Sequence, residues 1–286
     1  LSHNLTRSLR FNFSAATSSI IRQNTDINSI DLQTFDNQRI LWQDIINTGE
    51  PNSHFQSLAL NYKLPFQYIP FLSFIDATYN YTGNFNWQRG SEALAGVTSD
   101  EGIPLGLVNT IQNNNTKTIT GAVSFSKLYS ALGLQPKKSR FQSGVKAVQI
   151  KDSTKKKNTI LKKGLTKIVD ILTAIKRVQA SYNENNGSVL PGYLPSVGFA
   201  GGLKPSIGYT LGSQADIRYE TARQGWLTEF PNFNQLYTQL KSSKFKISAQ
   251  VVPLKGLLID FNADRDFTEN QLENFKVEDQ VYLPQN

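Results

Sequence analysis

The side chains that most often carry chemistry are scarce in this chain, and they do not form a known catalytic set. The 286 residues include no cysteine and two histidines, His3 and His54, neither of which lies at metal-ligand spacing from a second ligand. No nucleophile-elbow, zinc-protease, phosphate-loop or dinucleotide-binding motif occurs. We therefore expect no enzymatic activity, no cofactor and no bound metal.

One acidic group has some of the composition of a calcium loop. Asp260, Asn262, Asp264 and Asp266 alternate with mostly apolar residues. A calcium loop turns around a central glycine, whereas strict alternation is typical of a strand, in which successive side chains point to opposite faces. We interpret these residues as the polar side of a strand.

The strongest alternation runs through residues 75–87, IDATYNYTGNFNW, where every even position is polar. At about 3.3 Å per residue this segment would reach about 43 Å, or about 30 Å of height at a 45° tilt. That length predicts a strand that crosses a bilayer. The expected water- or lumen-facing residues are Asp76, Thr78, Asn80, Thr82 and Asn84. The expected lipid- or partner-facing residues are Ile75, Tyr79, Tyr81, Phe85 and Trp87, with Trp87 in an interfacial belt.

Six other segments alternate in the same way, and together they predict an all-β chain of about seven long antiparallel strands. These segments are residues 5–15, 57–64, 115–126, 177–185, 244–251 and 257–268. We interpret them as part of a very large transmembrane β-barrel, of which residues 1–286 form a partial wall. The chain begins without methionine and without a signal-peptide pattern, and we interpret it as an internal piece of a longer protein.

The connections between these strands have two lengths. Two short ones contain proline, at residues 64–70 and 252–256, whereas long loops are predicted at about 16–54, 88–109 and 186–243. Counting strands places both short turns at one end and the long loops at the other. Short periplasmic turns and long extracellular loops are typical of bacterial outer-membrane barrels.

The remaining connection is strongly basic. Between Lys137 and Arg177 the net charge is +11, against +8 for the whole chain, so the rest of the chain is net negative. The apolar spacing predicts a short basic amphipathic helix within an insertion at about 137–176, on the periplasmic side. This helix would pack on the barrel rim, lie on anionic lipid headgroups or bind an acidic partner; nucleic-acid binding is not expected. Its apolar face would comprise Leu161, Leu165, Ile168, Leu172 and Ile175.

A series of short segments in a fixed order covers most of the chain. They are WQDIIN (42–47), YKLP (62–65), IPFLSF (69–74), YNYT (79–82), NWQRG (86–90), LVNTIQN (107–113), VLPGY (189–193), GWLT (225–228), PNFNQ (231–235), YT (237–238) and RDFTENQLENF (265–275). As a series they resemble the SprA/Sov family, the outer-membrane translocon of the type IX secretion system.

The resemblance implies a very large single-chain barrel in the bacterial outer membrane, whose wide pore exports folded cargo proteins to the cell surface. It also implies a link to gliding motility. The implied partners are outer-membrane lipid, the rest of the same barrel chain, secreted cargo, and the plug and shuttle proteins of the secretion system.

Two alternatives stay open. Another large outer-membrane barrel, such as a plugged nutrient receptor or a porin, would have the same strands. A surface-exposed, β-rich adhesion module would instead bury its apolar faces against a second sheet and would fold alone in water.

Overall fold

The fold is one open antiparallel sheet. The computed structural model describes residues 1–20, 49–132, 174–197, 203–254 and 256–285. Within them nine strands pair in the order in which they occur along the chain, and the sheet does not close on itself. They are β1 (Ser2–Asn4), β2 (Leu9–Ile20), β3 (Glu50–Lys63), β4 (Ile75–Gln88), β5 (Asn109–Ser124), β6 (Ile175–Tyr193), β7 (Tyr237–Leu254), β8 (Leu257–Glu278) and β9 (Val281–Gln285).

The prediction of an all-β antiparallel chain is confirmed. Each of the seven alternating segments overlaps one of the long strands β2 to β8, while β1 and β9 are two additional short strands. Residues 5–8 and Leu64 lie outside the strands, and residues 125–126, predicted as strand, begin a helix. The ladders are long and regular; β4 and β5, for example, pair without interruption from Ile75 opposite Val123 to Gln88 opposite Thr110. Alternating aromatic, β-branched and polar residues suit such a pleated surface.

Several strands extend further than the alternation indicated. The connection predicted at 186–243 occupies only residues 194–236, because β6 continues to Tyr193 and β7 begins at Tyr237. The polar residues Asn185, Asn186 and Gly187 resemble a loop in sequence, yet they pair in the ladders with both neighbouring strands. The other long connections likewise shorten to residues 21–49 and 89–108.

The two ends of the sheet differ. The lower end carries the proline-containing connections, including the 3-10 turns Phe66–Tyr68 and Pro70–Leu72, and helix α2 (Phe125–Ala131). The upper end carries the long connections, with α1 (Glu92–Ala95), α3 (Ile207–Thr210) and α4 (Arg218–Arg223).

The predicted basic helix falls almost entirely outside the described residues. Leu161, Leu165, Ile168 and Leu172 lie there. Ile175, predicted as the end of the helical face, is instead the first residue of β6, where it pairs with Val251 of β7. The helical spacing therefore does not continue to that residue.

Strand register divides the sheet into two faces. We call the face that carries Tyr79, Phe85 and Trp87 the aromatic face, and the face that carries Asp76 and Asn84 the polar face. Because side chains alternate and directly paired residues share a side, the registers assign every neighbouring strand to these faces.

The hydrophobic core lies on the upper half of the aromatic face. We call residues 194–236 the cover segment; its described residues, 194–197 and 203–236, fold back over this half. Strand residues and cover residues interdigitate in one buried cluster: Phe85, Trp87, Ile111, Leu190, Tyr193, Val197, Tyr209, Ile217, Ala222, Leu227, Tyr237, Phe275, Val277 and Tyr282.

Candidate functional surface

The lower half of the aromatic face is an extended apolar surface, and no described residue of the cover segment lies over it. None of its side chains is buried, and large ones are widely exposed: Ile119 by 49%, Phe261 by 58% and Phe267 by 45%. We call this surface the apolar field. It comprises Leu9, Phe11, Leu60, Tyr62, Ile75, Tyr79, Ile119, Val123, Val178, Tyr182, Phe245, Ile247, Phe261 and Phe267. Contiguous exposed apolar area on this scale marks a surface that contacts something other than water.

The centre of the polar face is lined by amide and hydroxyl groups that bond across strands. Asn84 Nδ2 donates to Asn114 Oδ1 at 2.7 Å, and Asn183 Nδ2 donates to Thr118 Oγ1 at 2.8 Å. Asn61 donates to Asn80 in the same way. These groups keep further donors and acceptors unused, which is the chemistry of a surface suited to contact with water.

Charges on the polar face are concentrated on β7 and β8. Lys244 Nζ lies 2.8 Å from Asp266 Oδ2, and Lys246 stands directly opposite Asp264. Asp260 accepts a hydrogen bond of 3.3 Å from Gln250. The acidic group that resembled a calcium loop is therefore one row of a strand with cross-strand partners. Within the described ranges no cluster of His, Cys, Asp and Glu could hold a metal ion.

Besides the hydrophobic cluster, strand amides that donate to backbone carbonyls hold the cover segment. Asn113 Nδ2 donates to Tyr209 O and to Ser213 O, both at 2.7 Å. Asn115 Nδ2 donates to Gly212 O at 2.6 Å. A loop laid over a sheet buries carbonyl groups that need partners, and these inward-facing asparagines provide them.

The same attachment continues on the strands to either side. Gln56 Nε2 donates to Thr210 O at 2.6 Å, and the Tyr81 hydroxyl donates to Leu211 O at 2.8 Å. The Tyr209 ring is buried among these strands, and burial raises the pKa of its phenol. The contact therefore spans three adjacent strands.

Two glycines allow the cover segment to approach the sheet closely. A Cβ atom at Gly83 would lie 2.0 Å from Leu211 O, and one at Gly212 would lie 2.6 Å from Gly83 Cα. Gly212 also has φ of +96°, a conformation that side chains disfavour. Backbone meets backbone at this point, so larger residues have no room.

A second attachment of the cover segment lies at the start of α4. Arg218 bonds Asp216 at 2.9 Å and Glu273 at 2.7 Å, and its guanidinium lies 4.5 Å from the Tyr237 ring centre. Burial acts to raise the pKa of Asp216, but the hydrogen bonds from Arg218 outweigh it and hold that pKa below its ordinary value. The Tyr282 hydroxyl donates to the same Glu273 oxygen that Arg218 binds, at 2.7 Å.

This arrangement predicts a large difference between two arginines of α4. Arg218→Lys should lower the stability of the packed cover segment by about 3 kcal/mol, because a lysine ammonium cannot replace a nearly buried guanidinium that bridges two carboxylates. Arg223→Lys should change stability by less than about 0.5 kcal/mol, because Arg223 is 73% exposed and pairs only with Glu220 on its own helix. Denaturant unfolding of both variants measures the difference, and equal losses would contradict this role for Arg218.

The water-facing candidates all lie on the polar face, namely Asp76, Thr78, Asn80, Thr82 and Asn84. The lipid- or partner-facing candidates divide into two groups. Ile75 and Tyr79 belong to the apolar field and Tyr81 lies at its upper border, whereas Phe85 and Trp87 are 1% exposed beneath the cover segment. Trp87 Nε1 donates to Pro195 O at 3.0 Å, so the predicted interfacial belt role of this residue is wrong.

The residues that hold the cover segment were not among those predicted from the sequence. Asn113, Asn115 and Gln56 occupy positions on the aromatic face where an apolar residue would continue the pattern. This break in the apolar pattern was the signal in the sequence that could have identified these residues. It shows that the upper half of this face contacts polar atoms, although it does not identify them as backbone carbonyls of residues 209–213.

No helix in the described ranges is both long and apolar enough to span a membrane. The chain matches no protein-family model and has no significant match among curated proteins.

Proposed function

We propose that the chain is a wall segment of a protein-conducting channel in the bacterial outer membrane, with its apolar field against lipid and its polar face toward the lumen. The supporting observation is that one sheet has an apolar lower half on one face, over which no part of the described chain packs, and polar residues along the length of the other face. In this proposal the chain carries out transport without catalysis.

The charges of the polar face support this orientation. Contact with lipid would destabilise the charged residues of this face, since a lysine at the bilayer midplane costs about 2–4 kcal/mol. These residues are Asp260, Asp264, Lys244 and Lys246. Arg265 is a charged residue among the apolar side chains of the apolar field, on the edge strand β8 opposite Phe245. A long arginine side chain can extend its charge away from an apolar surface.

Strand length also supports a membrane wall. The 14 residues of β4 would span about 46 Å, or about 33 Å of height at a 45° tilt. The part of β4 below the cover segment, residues 75–82, accounts for about 26 Å of that length, or about 19 Å of height. On the longer strand β8, residues 257–267 would span about 36 Å, or about 26 Å of height, which is close to the apolar band of about 25 Å of an outer-membrane barrel.

The position of the cover segment favours a channel over a plugged receptor. A plug lies in the lumen, against the hydrated inner side of the wall. The cover segment packs on the opposite, aromatic face, through Phe85, Trp87 and Ile111. In the proposed orientation it lies outside the wall, above the lipid, and none of its described residues packs on the polar face.

A free edge supports a larger sheet. Residues 257–273 of β8 pair with β7 on one side, while β9 pairs only with residues 274–278 on the other. Within the described residues this edge leaves a long row of backbone groups without strand partners, which a membrane protein cannot leave open to lipid. We propose that further strands of the same barrel pair there.

The partners and the cargo come from the resemblance to the SprA/Sov family. We propose that folded secreted proteins pass along the polar face, and that plug and shuttle proteins gate the pore. The basic tract between Lys137 and Arg177 would then lie at the lower, periplasmic end.

Removing the gene from its source bacterium tests the function. Exported surface proteins should accumulate in the periplasm, and the intact gene should restore their export. If export is unchanged and uptake of a nutrient is lost, the receptor alternative replaces this proposal.

The second candidate is a soluble, surface-exposed adhesion module, in which a second sheet would cover the exposed side chains of the apolar field. Its test is partitioning. A soluble monomer that unfolds cooperatively without detergent would support the module, whereas a requirement for detergent or lipid would support the wall.

A further inference from the structure

A polar cleft lies where the apolar field meets the cover segment, on the aromatic face of β5 to β8. It encloses about 370 Å³ and is lined by strand residues together with Gln214 of the cover segment. Immediately below it on the same face lie Phe245, four residues beyond Lys241 on β7, and Phe267, two residues before Glu269 on β8. A polar cleft thus adjoins a wide apolar surface, which is the layout that an amphiphile requires.

The charges that line the cleft balance. Lys117 and Glu184 form an ion pair of 3.1 Å, and Lys241 stands directly opposite Glu269 in the strand register. A cleft built for a phosphate would carry an excess of positive charge. This lining therefore fits a headgroup with no large net charge.

The remaining lining groups are amides, which both donate and accept hydrogen bonds. Gln239 and Gln271 stand opposite each other on β7 and β8. Gln214 also lines the cleft, and its buried Oε1 has no hydrogen-bond partner among the residues that the structure describes. A ligand with several hydroxyl groups would match this mixture of donors and acceptors.

We propose that the cleft binds the sugar headgroup of a glycolipid whose acyl chains lie on the apolar field. This inference rests on the proposed function, because it needs the apolar field to face lipid. It adds a binding site with a stated ligand class at the level where the headgroups of the outer leaflet would lie.

The test uses the full chain in phosphatidylcholine nanodiscs that contain a minor fraction of a diacyl lipid with an uncharged disaccharide headgroup. Native mass spectrometry then measures the ratio of glycolipid to phosphatidylcholine that stays bound. The double variant Gln239→Leu with Gln271→Leu should lower this ratio at least about tenfold, because two hydrogen bonds are lost. Gln250→Leu, the same change on the polar face of β7, should leave the ratio unchanged.

Two further arms separate the competing explanations. In nanodiscs in which phosphatidylglycerol replaces the glycolipid, the wild-type chain should retain no more of it than of phosphatidylcholine, because the balanced charges of the cleft do not favour a phosphate; preferential retention of the phosphate lipid would overturn the proposal. Free disaccharide should compete poorly, and competition as strong as that of the glycolipid would contradict the role of the acyl chains. Equal ratios in the Gln239/Gln271 and Gln250 variants would also overturn it.

The experiment distinguishes failure of the cleft assignment from failure of the wall proposal. If the chain enters the nanodisc and shows no headgroup preference, only the cleft assignment fails. If the chain does not enter the nanodisc at all, the wall proposal fails first, and circular dichroism of each variant shows whether the sheet has formed.

Discussion

Replacing Ile247 with lysine is expected to weaken folding into a bilayer by about 2–4 kcal/mol, whereas the same replacement at Ser248 should cost almost nothing. The two residues are adjacent on β7, but Ile247 belongs to the apolar field and Ser248 to the polar face. A lysine at the lipid midplane must lose its hydration or distort the bilayer around it, which sets the magnitude. Denaturant titration of folding into phosphatidylcholine vesicles measures both values.

The pair contains its own control. Both substitutions add the same charged side chain to the same strand, so changes in strand propensity and net charge largely cancel. Equal penalties at the two positions would mean that neither face contacts lipid, and a larger penalty at Ser248 would invert the orientation.

The second large effect is expected at Gly83, where Gly83→Ala should detach the cover segment. The added Cβ would lie 2.0 Å from Leu211 O, and the obstacle is backbone that cannot rotate aside. Overpacking of this kind costs up to about 3 kcal/mol, which corresponds to an increase on the order of 100-fold in the detached population. Trypsin cleavage within the cover segment, at Arg218 and Arg223, should accelerate accordingly.

Gly121 provides a matched control. It lies on β5 on the same face, and a Cβ there would have no heavy atom within 4 Å. Gly121→Ala should therefore leave the cleavage rate unchanged. If both alanine variants are cleaved at the same rate, the close approach at Gly83 does not hold the cover.

The long strands could be predicted from the sequence because alternation is a local property. A strand such as β4 records its two faces directly in its odd and even residues. The same local pattern cannot show what lies opposite a face. Tyr79, Phe85 and Trp87 all occupy odd positions of β4 and so share a face. The cover segment, more than 100 residues away in the sequence, nevertheless covers only Phe85 and Trp87.

The cover could not be predicted because its contacts join distant parts of the chain through backbone atoms. Gln56 and Thr210 are separated by 154 positions, and the accepting group is a carbonyl that every residue possesses. The ends of β6 and β7 were missed for a related reason. Asn185 to Gly187 has the composition of a turn, and only pairing with β5 and β7 keeps it extended.

The central claim is that lipid contacts one face of the sheet below the cover segment, and single-cysteine scanning along β7 tests it most directly. The chain contains no cysteine, so each variant from Phe245→Cys to Gln250→Cys carries one label site. An environment-sensitive fluorophore at each site is examined in vesicles that contain nitroxide-labelled lipid. Strong quenching should alternate with a period of two, high at 245, 247 and 249 and low at 246, 248 and 250. Quenching that is uniform along these six positions, or that follows the even residues, would contradict the account.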